Sequence, residues 1–132
     1  MGGRSTLRTR IKALDRVFGE WVRKKDAKDG MVLCVTCQRR GFLADGGFDA
    51  GHFWKRQHQA TRFDPANVHV QCKRCNNFRG GAEAEHAAYI IREHGLAVFQ
   101  ELEARHYKVK KWTREEIESL IGYYKQKLEE LG

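Results

Sequence analysis

Apolar residues recur along this chain in two rhythms. From Ser5 onward they fall at Leu7, Ile11, Leu14, Phe18, Trp21 and Val22, the i, i+3, i+4 spacing of a single helix face. Ser5 or Thr6 supplies a cap, and Gly30 ends the segment after K-D-A-K-D. The helical rhythm returns after residue 81. Ala82 to His94 stops at Gly95, Leu96 to His106 carries Leu96, Phe99 and Leu102, and Thr113 to Leu131 opens with Thr113 and Glu116 as a capping box. The stripe of that last helix is Ile117, Leu120, Ile121, Tyr124, Leu128 and Leu131.

Residues 31–81 follow a different pattern. Met31 to Leu33 suits a short strand, and Gly41, Gly46 and Gly47 mark a turn-rich connection. Phe48 to Phe53 reads as a strand, Trp54 to Ala66 as a polar, basic loop ending in D-P-A-N, and Asn67 to Gln71, with Val68 and Val70 alternating, as the return strand of a hairpin. A short helix near Cys75 to Arg79 is broken by Gly80-Gly81. There is no internal repeat and no low-complexity tract. The pattern predicts one α+β domain over residues 1–132: a basic N-terminal helix (1–30), a strand-containing core (31–81) and a helical C-terminal part (82–132) with about three helices.

Length and charge sharpen this. A chain of 132 residues buries roughly two thirds of its unfolded surface, so its core is modest and a metal staple would help. The net charge of +8 is uneven. Residues 1–30 hold nine Lys/Arg against four acids and residues 31–81 eight against three, whereas residues 82–132 hold eight against ten. A positive field over the first two thirds suits a polyanion, and nucleic acid is the commonest one. Arg8, Arg10, Lys12, Arg16, Arg23 and Lys24 lie mostly off the apolar stripe of the first helix, either to lie along phosphates or simply as its solvated face. No long apolar run and no signal-peptide pattern is present, so the expectation is a soluble intracellular protein without a membrane partner.

Cys34, Cys37, Cys72 and Cys75 form two C-x-x-C pairs. Two such turns complete a tetrahedral four-thiolate shell, which leaves no position for water, so the ion expected is a structural Zn²⁺. The 34 residues between the pairs exceed the usual ribbon spacing, which is acceptable if the insert is itself a hairpin.

Between and beside the cysteines lie residues suited to phosphodiester chemistry. That reaction needs a base for water, a group that orients the base, and a divalent cation facing the phosphate. His52 has a side-chain pKa near working pH and suits the base. Asn67 suits orientation of the imidazole, through its side chain or its place in the loop. Asn76, opening the helix after the last cysteine, offers a hard oxygen to Mg²⁺ or Mn²⁺. The catalytic candidates are thus His52, Asn67 and Asn76.

The order His52, Asn67, Asn76, with Asn76 directly after the last C-x-x-C, resembles the HNH endonucleases of the ββα-metal type. A closer resemblance runs over most of the chain. W-V-R at Trp21, C-V-T-C, D-A-G-H at Asp49 to His52, R-F, N-V-H-V-Q-C-K-R-C-N and W-T-R-E-E at Trp112 look like the NinG (Rap) recombination proteins of lambda-type phages. It implies a zinc-stapled, HNH-like core and a structure-specific endonuclease acting on branched DNA, such as Holliday junctions and displacement loops, in the bacterial cytoplasm during phage recombination. One departure stands out: many HNH enzymes carry a metal-binding acid immediately before the histidine, where this chain has Gly51. Asp49, three positions earlier, is the expected second metal ligand. In a regular strand it would face away from His52, so a bulge at Gly51 is expected. His69 is the rival ligand, weighed against a hydrogen-bonded structural histidine.

Lys55, Arg56, Arg62, Lys73, Arg74 and Arg79 surround these residues and are expected to contact phosphates, with Arg62 and Arg79 beside the scissile one. Trp54 either stacks on an unpaired base or covers the zinc hairpin. His58 reads as surface, and His86, His94 and His106 as packing or surface residues. A homodimer through the last helix would suit symmetric cutting of a four-way junction, although such a stripe is more often intramolecular core.

Overall fold

The computed structural model describes residues 5–132. Helix α1 (Leu7–Lys24) is capped by Thr6, whose side chain accepts from the Thr9 amide at 3.1 Å. Strands β1 (Met31–Leu33) and β2 (Arg40–Phe42) pair antiparallel, as do β3 (Phe48–His52) and β4 (Val68–Cys72). A π-helical turn (Arg74–Phe78) follows β4, and α2 (Glu83–His94), α3 (Leu96–His106) and α4 (Arg114–Glu130) complete the chain. The arrangement is mixed α+β with two small two-stranded sheets. Among the described residues no helix is long and apolar enough to cross a membrane.

Most expected elements appear within a residue or two at their ends, but α1 stops at Lys24, well before the expected Gly30. Strand β2 is the addition. The chain after the first cysteine pair folds back on β1, with Met31 opposite Phe42 and Leu33 opposite Arg40. Gln38 adopts φ +66 to close that turn. The capping box of α4 is complete: Thr113 accepts from the Glu116 amide at 3.1 Å, and Glu116 accepts from the Thr113 amide at 2.9 Å.

Two apolar cores divide the structure. The larger joins α1, α4 and the hairpin through Leu14, Phe18, Val22, Phe63, Val68, Ile117, Ile121 and Tyr124. Phe18 sits at its centre, edge-on to Tyr124 at 4.9 Å and to Phe63 at 5.9 Å between ring centroids. Ile117, Ile121 and Tyr124 of the α4 stripe are buried against α1, whereas Leu131 at its end stays exposed. The smaller core holds Val32, Cys34, Phe48, Val70, Cys72, Cys75 and Ala82. Three of these seven are cysteines, so without cross-linking chemistry this half has little to hold it.

Candidate active site and cysteine cluster

The β1–β2 turn carries Cys34 and Cys37, and the end of β4 with the π-helical turn carries Cys72 and Cys75. One sulfur from each lies within 4.8 Å of all the others, and none is in a disulfide. Cys37 Sγ and Cys72 Sγ are 3.7 Å apart. A disulfide needs about 2.05 Å, whereas two thiolates on a tetrahedral ion, each at about 2.3 Å, stand about 3.8 Å apart. Four cysteines so placed could bind a structural metal such as zinc. Burial would raise the Cys34 thiol, but hydrogen bonds from the Thr36 hydroxyl and the amides of Cys37, Cys72 and Thr36 bring it down to about 6. Burial and the neighbouring sulfurs push Cys37 up to about 12. Unneutralised thiolates cannot share so small a space, and a divalent cation would remove that conflict.

A cleft of about 900 Å³ runs between α1 and β3. One wall is Lys12, Asp15, Arg16, Gly19 and Arg23 of α1. The other is Asp49, Ala50 and His52 of β3, Lys55, Arg56, Gln57 and Arg62 of the following loop, and Asn76. No β4 residue lines it, so it lies along the unpaired edge of β3.

That position corrects the expected bulge. The pairing runs unbroken from Phe48 opposite Cys72 to His52 opposite Val68. Asp49 and His52 nevertheless border the same cleft, because a cleft along a strand's edge collects residues from both faces of the pleat. Gly51 has a different role. A Cβ there would sit inside the carboxamide of Gln71, which is fully buried on the facing strand and donates to the Gly81 carbonyl at 2.8 Å.

His52 is buried, and its Nε2 lies 2.9 Å from the carbonyl oxygen of Arg62. A carbonyl only accepts, so Nε2 carries the proton and the lone pair belongs to Nδ1. Burial and the charge of Arg56 lower the imidazole to about 4, against smaller opposing contributions from the Arg62 carbonyl and Asp15. The ring is neutral at working pH and able to accept a proton.

Asn67 does not touch that ring. It is fully buried, accepts from the Trp54 amide at 2.9 Å and donates to the carbonyls of Trp54 at 3.0 Å and Thr61 at 3.1 Å. It ties the two ends of the loop that presents the Arg62 carbonyl. Four consecutive carbonyls of that loop are held by side chains from different elements. Gln59 accepts from Trp112 at 3.2 Å, Ala60 from Arg105 at 2.6 Å, Thr61 from Asn67 and Arg62 from His52.

Asn76 and Asp49 are in direct contact, with Asn76 Nδ2 donating to Asp49 Oδ2 at 3.0 Å. The other oxygen of Asp49 pairs with Lys73 Nζ at 2.7 Å. Burial alone would raise the Asp49 carboxyl, but Lys73, Asn76 and the charge of Arg23 hold it below the usual carboxylate range.

The remaining candidates divide. Lys55, Arg56 and Arg62 line the cleft, and Lys73 reaches its edge through Asp49. Arg74 and Arg79 do not line it. Arg79 instead pairs with Glu85 at 2.8 Å and donates to Cys75 Sγ at 3.6 Å. Arg62 is also committed, in a two-point ion pair with Asp15 at 2.5 and 3.1 Å. His69 lies away from the cleft. Its Nδ1 is 3.0 Å from His86 Nε2 and its Nε2 is 3.0 Å from His94 Nε2, so neither ring nitrogen is free for the cation that a ligand role would require. The face of Trp54 is covered by His106 of α3 at 3.5 Å between centroids.

Asp15, Lys12, Arg16 and Arg23 are the cleft residues that pattern reading left unassigned to the site. Their only signal was helical spacing, which places them on one side of α1 but does not reveal that β3 docks beside it.

The comparisons extend the picture. Residues 5–132 match the family described as Bacteriophage Lambda NinG protein. The chain is 32% identical over 124 residues to Protein ninG of Salmonella phage P22, 31% to that of Escherichia phage 933W and 30% to that of Escherichia phage lambda. Each of these alignments covers 92% of this chain and 56–57% of the relative. The chain thus spans little more than half the length of the curated relatives it matches. No solved structure matches it. Over nearly its whole described length, this chain belongs to the NinG family.

Proposed function

We propose that this protein is a metal-dependent, structure-specific DNA endonuclease with an HNH-like core, acting on branched or single-strand-containing recombination intermediates such as Holliday junctions and displacement loops. The observation that carries the reading is one cleft that gathers a neutral, oriented histidine, a carboxylate touching a carboxamide, and six Lys/Arg side chains. A cleft that only bound DNA would have no use for the first two.

The roles follow from the contacts. His52 takes a proton from water at Nδ1, while the Arg62 carbonyl fixes the tautomer by holding Nε2–H. Asn67 acts on His52 at one remove, by keeping the loop that carries that carbonyl in place. With the Asn76 carboxamide turned over, so that its oxygen replaces the Nδ2 now donating to Asp49, the two residues would offer a hard-oxygen pair to Mg²⁺ or Mn²⁺, the rest of whose shell would be water and phosphate oxygens. Such a cation, when bound, supplies charge stabilisation at the phosphate and the leaving oxygen. Lys73 must yield its hold on Asp49 for that ligand to be available. Lys55 and Arg56 contact phosphate and position the strand. The four cysteines hold a structural Zn²⁺ and with it the small core beneath Asn76.

A second reading, a zinc-stapled DNA-binding module without catalysis, is favoured by Gly51 before His52 and by Lys73 on Asp49. One assay separates the two. Branched and linear duplex DNA are incubated with Mg²⁺ or Mn²⁺ and either the wild type or His52→Ala. Cutting of branched DNA by the wild type alone supports the enzyme, and tight binding without cutting by either leaves the module.

A further inference from the structure

The side of α1 that borders the cleft carries a row of cations. Arg8, Lys12, Arg16 and Arg23 fall within an arc of about 80° at 3.6 residues per turn. Gly19 lies inside the same arc and puts no side chain in the row. Lys12, Arg16 and Arg23 line the cleft, and Arg8 continues the row one turn beyond it.

Ion pairing separates this row from the other cations of the helix. Arg10 is neutralised by Glu118 at 2.5 Å, Lys24 by Glu20 at 2.7 Å, and Lys25, just past the helix end, by Asp26 at 2.7 Å. Among the described residues, none of the four in the row has a carboxylate within ion-pair distance, although Asp15 lies beside them and pairs with Arg62 and Arg56 instead. Four unneutralised cations on one side of a helix, three of them lining a cleft, make a local positive field suited to a polyanion.

We propose that this row is a backbone track for one DNA strand, leading from the cleft along α1 away from His52. The proposal rests on the reading of the cleft as a DNA site and deepens it by giving the α1 wall its own role and extending it past the cleft to Arg8. From Arg8 to Arg23 the helix rises about 22 Å. That length matches about six or seven base pairs along a duplex axis at 3.4 Å each. Cations one or two helical turns apart touch phosphates without reading bases, so the track sets the direction of one arm and not its sequence.

The test measures binding in EDTA, so that cleavage plays no part. Fluorescence anisotropy with a labelled four-way junction is recorded against salt for the wild type, for Arg8→Gln/Lys12→Gln/Arg16→Gln/Arg23→Gln, and for a flank control, Arg10→Gln/Lys24→Gln. Every phosphate that goes unneutralised flattens the log–log salt slope by roughly 0.7–0.9. The row variant should therefore show a slope shallower by about three units, while the control changes by less than one. Hydroxyl-radical footprinting should show protection shortened by about six nucleotides on one side only. A matching variant with Lys at all four positions should restore the slope, which a folding defect would not allow. An unchanged slope in the row variant, or an equal flattening in the control, overturns the track. If the wild type shows this slope difference yet never cuts DNA with Mg²⁺ or Mn²⁺, the enzyme reading falls and the track stands.

Discussion

The carbonyl oxygen of Arg62 holds His52 Nε2 at 2.9 Å, and this one hydrogen bond decides which nitrogen of the imidazole is basic. Burial and Arg56 keep the ring neutral far below the ordinary histidine range, to about 4. If His52 is the base, as proposed, its neutral form does the work, and cleavage should persist as pH falls through 6.5 and decline only near 4 to 5. A single-turnover pH profile on branched DNA checks this. An acid limb at pH 6.5 would mean that His52 is not the base.

His52→Ala should lower cleavage by about 10²–10⁴-fold, the usual worth of a positioned general base. Binding in EDTA should stay within about threefold of wild type, since the imidazole touches no phosphate in the proposed arrangement. Cleavage assays beside anisotropy titrations read both quantities. Comparable losses in the two would turn His52 into a binding or folding residue.

Asn67→Ala should destabilise the fold by about 2–4 kcal/mol. It strands a buried amide and two carbonyls at Trp54 and Thr61, and unmet buried groups cost about 1–3 kcal/mol each, offset in part by relaxation. Urea unfolding followed by Trp fluorescence gives the value. Cleavage under stabilising conditions should fall too, because the Arg62 carbonyl loses its frame.

Gly51→Ala should cost roughly 1–3 kcal/mol, the range for overpacking a filled site. The new methyl group would overlap the Gln71 carboxamide. Adding Gln71→Ala removes the obstruction, so the double variant should be more stable than the sum of the two single changes implies. Strict additivity would show that the two residues do not compete for space.

Three buried histidines predict an acid-sensitive fold. Burial first, then neighbouring positive charge, lowers His52 to about 4, His86 to about 3 and His69 to about 2. In the unfolded chain each titrates near 6.5. Between those values the unfolded state binds more protons, so stability falls as pH drops below 6.5. The slope is up to roughly 1.4 kcal/mol per pH unit for each group. His86→Asn should flatten the stability–pH curve over pH 4.5–6.5 by up to one such increment, measured by denaturant unfolding with saturating zinc. The same slope in both proteins would exclude His86 as a source.

How much of this could be read from residue order depended on the range of the interaction. The two C-x-x-C turns, the hairpin between them and Asn76 after the last cysteine are local patterns, and they fold where expected. Asp49 and His52 were also legible, but through a wrong intermediate. Counting strand parity demanded a bulge, whereas the cleft lies along the free edge of β3 and needs none. Strand β2 escaped notice because R-G-F is too short to show alternation. Asp15, the α1 cations at the cleft and the His69–His86–His94 cluster depend on how α1 and α2 dock on the hairpin. No pattern within a single element encodes that docking.

The run of pinned carbonyls from Gln59 to Arg62 has a consequence for how the molecule can be altered. Trp112, ahead of α4, and Arg105, on α3, brace the same stretch of backbone that sets the tautomer of His52. The C-terminal third is thus a truss for the proposed site rather than an appendage to it. Trimming those helices would slacken the base without touching a single residue of the cleft.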